Sequence, residues 1–291
     1  MIEIKRLSKS FGSKKVFVNA DVAVETGSIC GLIGINGAGK STLLRILSGV
    51  MTAEQGEVTI DGQSVYENES VKSKIFFLPD DPFYDIGVTG EKIQALYSAF
   101  YSFDSELFDS YIKKFALDLK KPIRNFSKGM RRQLFISVAL ACRPEYLVLD
   151  EAFDGLDPLA RLEFKRGIID LQEQGSTVII ASHSLRELED ICDSFILIDD
   201  TSVKESGKIE NALSKIFKLQ LAFNQDVKPE ELPFRYVRAE VVGRVITVVA
   251  RGDVEEVKQR LLSLNPIIME EIPMDLEDMF IEEVRERGYL K

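Results

Sequence analysis

Cysteine and histidine, which supply many of the protein ligands for transition metals, are scarce in this sequence. Its 291 residues include three cysteines and one histidine. The cysteines, Cys30, Cys142 and Cys192, do not have the spacing of a metal site. Scattered cysteines of this kind are typical of small buried apolar side chains in a reducing compartment. We therefore expect no metal site formed by the cysteines.

Long apolar runs and an excess of positive charge are also missing. The longest apolar stretch, LFISVALAC, is far too short to cross a bilayer, and the N-terminal MIEIKRLSKSFG has charges where a signal peptide needs an apolar core. The net charge of -10 argues against broad binding to the phosphate backbone of nucleic acid. We therefore expect a cytoplasmic protein without a nucleic-acid partner, for which any membrane role requires a separate protein.

The length predicts two compact units, and the hydrophobic fraction of 45% is ample for a sizeable core. The composition changes beyond about Ile216, where KLQLAF, YVRAEVV and VITVVA alternate like strands. The following DVEEVKQRLLSL has the spacing and the acidic first turn of an amphipathic helix. We therefore predict a main domain over residues 1–215 and a small α+β accessory domain over residues 216–291.

The main domain shows the pattern of an α/β fold. SICGLIGINGAGKSTLLRIL predicts a strand, a glycine loop and a helix, and EVTIDG and KIFFLP predict two further strands. The pattern is helical from Thr89 to Cys142. Buried strands then return in EYLVLD and TVIIAS, with a helix near 159–172 between them. We expect a mostly parallel sheet surrounded by helices, with a helical lobe inserted at about residues 88–142.

The glycine loop fits the pattern G-x-x-x-x-G-K-[ST] in the strand-loop-helix setting that this motif requires. Glycines let successive N–H groups turn inward around phosphate oxygens, and the helix that follows directs its positive end at the same anion. Lys40 is expected to reach the β- and γ-phosphates, and the Ser41 hydroxyl to bind Mg²⁺. The predicted nucleotide-binding residues are Gly34, Asn36, Gly37, Ala38, Gly39, Lys40, Ser41 and Thr42.

Two adjacent acids follow the apolar strand residues of YLVLDE. Asp150 is held at a strand end, where a carboxylate can bind Mg²⁺ directly or through water. Glu151 is expected to point toward the position of an attacking water. The alternative is a pair of solvated acids, which a phosphate loop earlier in the same chain disfavours.

The stretch NFSKGMRRQLFISVALACRPEYLVLDEAFDGLDPLAR resembles the ABC ATPase family, and the resemblance covers about residues 2–207. Residues 127–130 occupy the place of the Leu-Ser-Gly-Gly-Gln signature, with phenylalanine replacing leucine and Lys128 replacing a glycine. Residues 155–157 match the D-loop, and the lone His183 falls at the switch histidine. The resemblance implies a phosphate-loop NTPase core of the RecA-like type, with an antiparallel β subdomain and an inserted helical lobe.

The resemblance also implies the roles of several residues. Ser127 and Gly129 open a helix that receives the γ-phosphate of a nucleotide bound to a second subunit, and Asp157 of the D-loop is also implied to bind nucleotide. One phosphate loop and one signature per chain imply a homodimer or heterodimer that encloses two nucleotides. His183, at the end of a buried strand, is implied to contact the γ-phosphate and to orient water and Glu151.

Two further positions leave alternatives open. Phe11 lies where the family places an aromatic ring against adenine, although an aromatic residue this near the N-terminus is often part of a core. Asp80 stands where many relatives have a glutamine that links Mg²⁺ and water to the membrane partner. An acid there can touch metal-bound water, or it can be an ordinary loop acid.

These features predict the ATP-hydrolysing subunit of an ABC transporter, with ATP and Mg²⁺ as ligands. It is expected at the inner face of the cell membrane, bound to a separate transmembrane permease. SKGMRRQ, LPDDP and MDLEDMFIEEV look like the subfamily that pairs with export-type permeases. The alternatives are an importer subunit, an ABC ATPase in a non-transport role, and a module that binds ATP without turnover. The permease selects the substrate, so this chain does not define it.

Overall fold

The computed structural model of the chain describes residues 1–225 and 227–286. Its strands are β1 (Ile2–Phe11), β2 (Lys14–Val24), β3 (Ile29–Ile33), β4 (Gln55–Ile60), β5 (Gln63–Ser64), β6 (Ile75–Leu78), β7 (Tyr146–Asp150), β8 (Thr177–Ala181), β9 (Ser194–Asp199), β10 (Ser202–Lys208), β11 (Ile216–Phe223), β12 (Arg238–Val242), β13 (Val245–Arg251) and β14 (Pro266–Ile272). Its α-helices are α1 (Lys40–Leu47), α2 (Glu69–Lys72), α3 (Gly90–Ser98), α4 (Ser105–Lys114), α5 (Lys128–Ala141), α6 (Pro158–Glu173), α7 (Leu185–Glu189), α8 (Ile209–Leu213), α9 (Val254–Leu261) and α10 (Leu276–Glu286).

A six-stranded sheet with the order β10-β9-β3-β8-β7-β6 forms the centre of the first unit. From β9 to β6 its neighbouring strands are parallel. Every residue of β3, β7 and β8 is buried, as expected for parallel strands covered on both faces. The carboxyl ends of these three strands therefore meet at one edge, and the predicted α/β class is confirmed.

A second sheet with the order β2-β1-β4-β5 is antiparallel. Its buried residues, including Leu7 and Phe17, belong to the same apolar cluster as Leu43 and Leu47 of α1. The cluster also contains residues of the parallel sheet, so α1 is packed among apolar residues of both sheets. This packing fixes the helix that follows the glycine loop.

The helices α3, α4 and α5 occupy residues 90–141, within the segment predicted as a helical lobe. Their apolar faces are buried through Ile93, Phe108 and Leu134. Among the described residues, no helix combines the length and apolar character needed to cross a membrane.

Residue contacts divide the chain between Ser206 and Gly207. The predicted boundary lies later, after residue 215. The difference arises because α8 packs against β11 and α10 and therefore belongs to the second unit. Residue 226 and residues 287–291 of the predicted accessory domain lie outside the described residues.

The second unit has an antiparallel sheet with the order β12-β13-β11-β14. One face carries Leu219, Leu221 and Val248, which form an apolar cluster with Val257 and Leu261 of α9. The fold of this unit is α+β.

Candidate active site

The glycine loop joins β3 to α1, and its backbone conformation and close contacts favour glycine. Gly37 and Gly39 have φ angles of 83° and 110°, which favour glycine. A Cβ atom on Gly34 would lie 2.6 Å from the carbonyl oxygen of Ile198. The loop therefore keeps its backbone bare, as a cradle for an anion requires.

The first turn of α1 completes this cradle. Its N-cap is Gly39, and no side chain within the described part of the chain caps the helix, so its first N–H groups and the positive end of its dipole remain for a ligand. The Lys40 ammonium donates a 2.7 Å hydrogen bond to the carbonyl of Gly34. Burial lowers the pKa of Lys40, and the charges of Glu151 and Asp150 oppose this shift. The site thus holds a buried cation next to exposed backbone donors.

The other predicted loop residues lie around this cation. Ala38 donates a 3.1 Å backbone hydrogen bond to Ile35, which tightens the turn, and Asn36 is exposed. Ser41 and Thr42 are half-buried in the first turn of α1. The structure therefore places the eight predicted residues along the loop after β3 and the first turn of α1.

Asp150 ends β7 and is 2% exposed. Among the described residues, its Oδ1 has no hydrogen-bond partner. Burial raises the pKa of Asp150, and a hydrogen bond from Ser41 works in the opposite direction. A buried carboxylate oxygen without a partner is costly, and a hard divalent cation with oxygen ligands would compensate it. The Asp150 and Ser41 oxygens therefore fit Mg²⁺.

Glu151 and His183 are in direct contact. The Glu151 Oε2 atom accepts a 3.1 Å hydrogen bond from the His183 backbone N–H and lies 2.9 Å from His183 Nδ1. A carboxylate only accepts, so Nδ1 carries the proton. Glu151 has a φ of 49°, a conformation that is uncommon outside glycine and is found at functional sites. The predicted meeting of these two residues is observed.

Asp154 is a member of this cluster that the sequence did not single out. Its Oδ1 lies 3.6 Å from His183 Nε2, and its Oδ2 lies 3.6 Å from Lys128 Nζ. The hydrogen bond with Glu151 raises the pKa of His183, and the charge of Asp154 adds to this shift. The only signal in the sequence was the place of Asp154 between Glu151 and Asp157.

The start of α5 lies against the loop that follows β7. Ser127 is the N-cap of α5, and its hydroxyl accepts a 3.1 Å hydrogen bond from the Met130 N–H. A Cβ atom on Gly129 would lie 2.7 Å from the carbonyl oxygen of Gly155, so a glycine is needed here. Asp157 caps α6 through its carboxylate. Ser127, Gly129 and Asp157 thus lie where the starts of α5 and α6 come together.

Phe11 and Asp80 are the two predicted positions for which alternatives were open. Phe11 is 49% exposed, and the Lys9 ammonium lies 5.3 Å from its ring centre, so the ring is not part of a core. The Asp80 carboxylate forms a 2.7 Å ion pair with Arg132. Its charge also contributes to the raised pKa of Asp150. The sequence alone does not mark Arg132, because two adjacent arginines on a helix are usually solvated.

The fold and this site define a phosphate-loop NTPase. The model of the family described as "ABC transporter" matches residues 17–154. The chain is 29% identical over 283 residues to the ABC transporter ATP-binding protein YtrB of Bacillus subtilis, with 97% of each chain covered. It is 30% identical over 295 residues to the uncharacterized ABC transporter ATP-binding protein YdbJ of the same organism, covering 97% of this chain and 94% of that protein.

Two further likenesses agree with these. The chain is 28% identical to the lantibiotic transport ATP-binding protein SrtF of Streptococcus pyogenes, covering 77% of this chain and 99% of that protein. A solved structure described as an ATP-binding subunit of an ABC transporter has a TM-score of 0.68 and 27% identity, covering 73% of this chain and 91% of that chain. The chain belongs to the ABC transporter ATP-binding protein family, whose members are ATPases that drive transport and generally partner with transmembrane components.

Proposed function

We propose that the chain is the ATP-hydrolysing subunit of an export-type ABC transporter and energises a separate permease from the cytoplasmic face of the membrane. The contact between Glu151 and His183, beside Lys40 and Asp150, is the observation that carries the hydrolytic part. It places a carboxylate, an imidazole and a buried ammonium at one sheet edge. A module that only holds ATP does not need a carboxylate oriented in this way.

Each residue has a separate task in this proposal. Lys40 and the α1 N–H groups bind the β- and γ-phosphates, and Phe11 stacks on the adenine. Ser41 and Asp150 hold Mg²⁺, which when bound neutralises phosphate charge. Glu151 accepts the proton of the attacking water, and the Nδ1 proton of His183 holds the Glu151 carboxylate in place.

The remaining predicted residues serve a second subunit. In this proposal Ser127 and Gly129 present the start of α5 to the γ-phosphate bound by the partner, and Asp157 lies at the same interface. The N-cap hydroxyl and the bare glycine backbone at this helix start support the role. The active assembly is then a homodimer or heterodimer with two nucleotides.

The proposal also gives the direction of transport, which is export. The likeness to a protein named for lantibiotic transport supports it, and so do SKGMRRQ and LPDDP. The α+β fold of the second unit also differs from the all-β tail expected of many carbohydrate importers. The assay uses vesicles that hold the complex with its co-purified permease, with the ATPase face outward. An exporter moves substrate into the lumen when ATP is added outside, whereas release from the lumen would show an importer.

Replacement of His183 by alanine is expected to lower kcat about a hundredfold while ATP affinity stays close to the parent value. The imidazole holds Glu151, but Lys40 and the loop amides carry most ground-state binding. Steady-state ATPase kinetics, with permease present, measure both quantities. Arg186→Ala, at an exposed position on α7, is the control. A folded His183→Ala protein that hydrolyses ATP at the parent rate would remove the histidine from the mechanism.

The segment from Asp80 to Gln94 is expected to contact the permease. Phe83 and Ile86 are 87% and 89% exposed, an unusual exposure for large apolar side chains. A cysteine placed at Phe83 or Asp85 should crosslink to a co-expressed permease, because the three native cysteines are buried and unreactive. A cysteine at Leu162 on α6 is the exposed control. Crosslinking at Leu162 without crosslinking in the segment would contradict the assignment.

A further inference from the structure

A buried arginine links the helical lobe to the loop after β6. Arg132 is 3% exposed. Its Nη1 donates to the Pro79 carbonyl at 3.1 Å, and its Nη2 donates to both the carbonyl and the carboxylate Oδ1 of Asp80 at 2.7 Å. The guanidinium therefore binds the backbone carbonyls of Pro79 and Asp80 and the carboxylate of Asp80. We call this set of contacts the Arg132 clamp.

The clamp lies beside the acid proposed to hold the metal. Pro79 directly follows β6, and Leu78 of β6 pairs with Leu149 of β7, whose next residue is Asp150. The charge of Asp80 also contributes to the raised pKa of Asp150, after burial and the charge of Glu151. A movement of Arg132 is therefore transmitted to the strand edge at which Asp150 and Glu151 lie.

The C-terminal end of α5 is held by the chain itself, because a short connection joins it to β7. Its start, which carries Ser127 and Gly129, is held by the clamp. The same helix start also forms the Lys128–Asp154 ion pair at 3.6 Å and a 3.3 Å hydrogen bond from Gln133 to Asp157. Exposed contacts of this kind contribute little, whereas charge-assisted bonds of a buried guanidinium are strong. The clamp is therefore the firmer attachment of the helix start.

We propose that Arg132 is a positioning residue that fixes the start of α5 relative to the strand ends, and that Asp80 serves as its anchor and not as a Mg²⁺ ligand. This inference rests on the proposed role of Ser127 and Gly129 in hydrolysis. Moving the Asp80 carboxylate to a metal would leave a buried guanidinium without its counter-ion, which is strongly unfavourable. A lysine cannot replace the planar fork that reaches all three acceptors.

The experiment measures ATP hydrolysis by the full-length chain against ATP and, separately, against Mg²⁺. Asp80→Asn and Arg132→Gln are each expected to lower kcat about tenfold or more, because small displacements of reacting groups have large effects on rate. KM for ATP and the half-saturating Mg²⁺ concentration should stay at the parent values. The double variant should be no slower than Arg132→Gln, since both changes break one linkage. Arg132→Lys should recover little activity, and Arg131→Gln is the charge-matched control with near-parent kinetics.

Two results would overturn the clamp. One is a raised Mg²⁺ requirement in Asp80→Asn together with unchanged kinetics in Arg132→Gln, which would make Asp80 a metal ligand. The other is independent, multiplying effects in the double variant. Melting curves are measured for each variant. If Arg132→Gln is unfolded, Asp80→Asn alone tests the clamp, because it keeps the shape of a half-exposed side chain. A Ser127→Ala chain with the parent rate would instead reject the proposed role of the α5 start.

Discussion

Lys40→Ala is expected to lower the affinity for ATP about a hundredfold, which corresponds to about 3 kcal/mol of lost charge-assisted binding. Lys40 is 8% exposed, so its attraction to phosphate is weakly screened by water. Burial lowers the pKa of Lys40, which reflects the cost of keeping this charge away from water. The nucleotide-free variant should therefore melt close to the parent, while the stabilisation of the parent by ATP should be lost.

Titration of labelled ATP and melting curves with and without ATP measure the two effects. Lys204→Ala removes the same charge from an exposed position on β10 and should bind like the parent. Parent-like affinity in Lys40→Ala would mean that the glycine loop is only a turn. A variant that melts far below the parent without ATP would instead show that the 2.7 Å bond to Gly34 supports the fold.

Glu151→Gln is expected to lower turnover by about a thousandfold, within the usual range for a general base. The amide oxygen can still accept the N–H groups of His183, so the geometry and ATP binding should persist. A bound but unhydrolysed nucleotide should then hold two subunits together. Size-exclusion chromatography in Mg²⁺ and ATP should show a dimer that the parent chain forms only transiently.

Glu145→Gln is the matched control, because Glu145 precedes the same strand and forms an exposed 2.9 Å ion pair with Lys74. Such a pair contributes little, so turnover should be unchanged. A Glu151→Gln chain with the parent rate would reject the general base. A variant without turnover that stays monomeric at high concentration, with permease present, would argue against the two-nucleotide dimer.

The phosphate loop and the two acids could be predicted because their signals are local. The glycine pattern fixes the backbone within eight residues, and an acid after an apolar run marks the end of a buried strand. Parallel strands then bring such ends to one edge without further information. The meeting of Glu151 with His183 follows from this rule and from the family resemblance.

The contacts of Arg132 and Asp154 could not be predicted in this way. Arg132 lies in a run of charged residues on α5, and only the packing of that helix beside the loop after β6 buries it. Asp154, in the loop after β7, meets Lys128 at the start of α5 and His183 in the loop after β8. The exposure of Phe11 likewise depends on how β1 ends. Such pairings depend on tertiary packing, which neither residue type nor periodicity encodes.

The position of β3 in the parallel sheet has a consequence for synthesis of the chain. β3 pairs with β8 and β9 and with no earlier strand of its sheet. At about 5–20 residues per second, the ribosome needs roughly 7–30 s to proceed from β3 to β8. During that interval the strand before the phosphate loop has two open edges, whereas β1 and β2 pair at once. The proposed nucleotide-binding site is thus completed late in translation, and a chaperone that covers apolar strands is needed for longest at Ile29–Ile33.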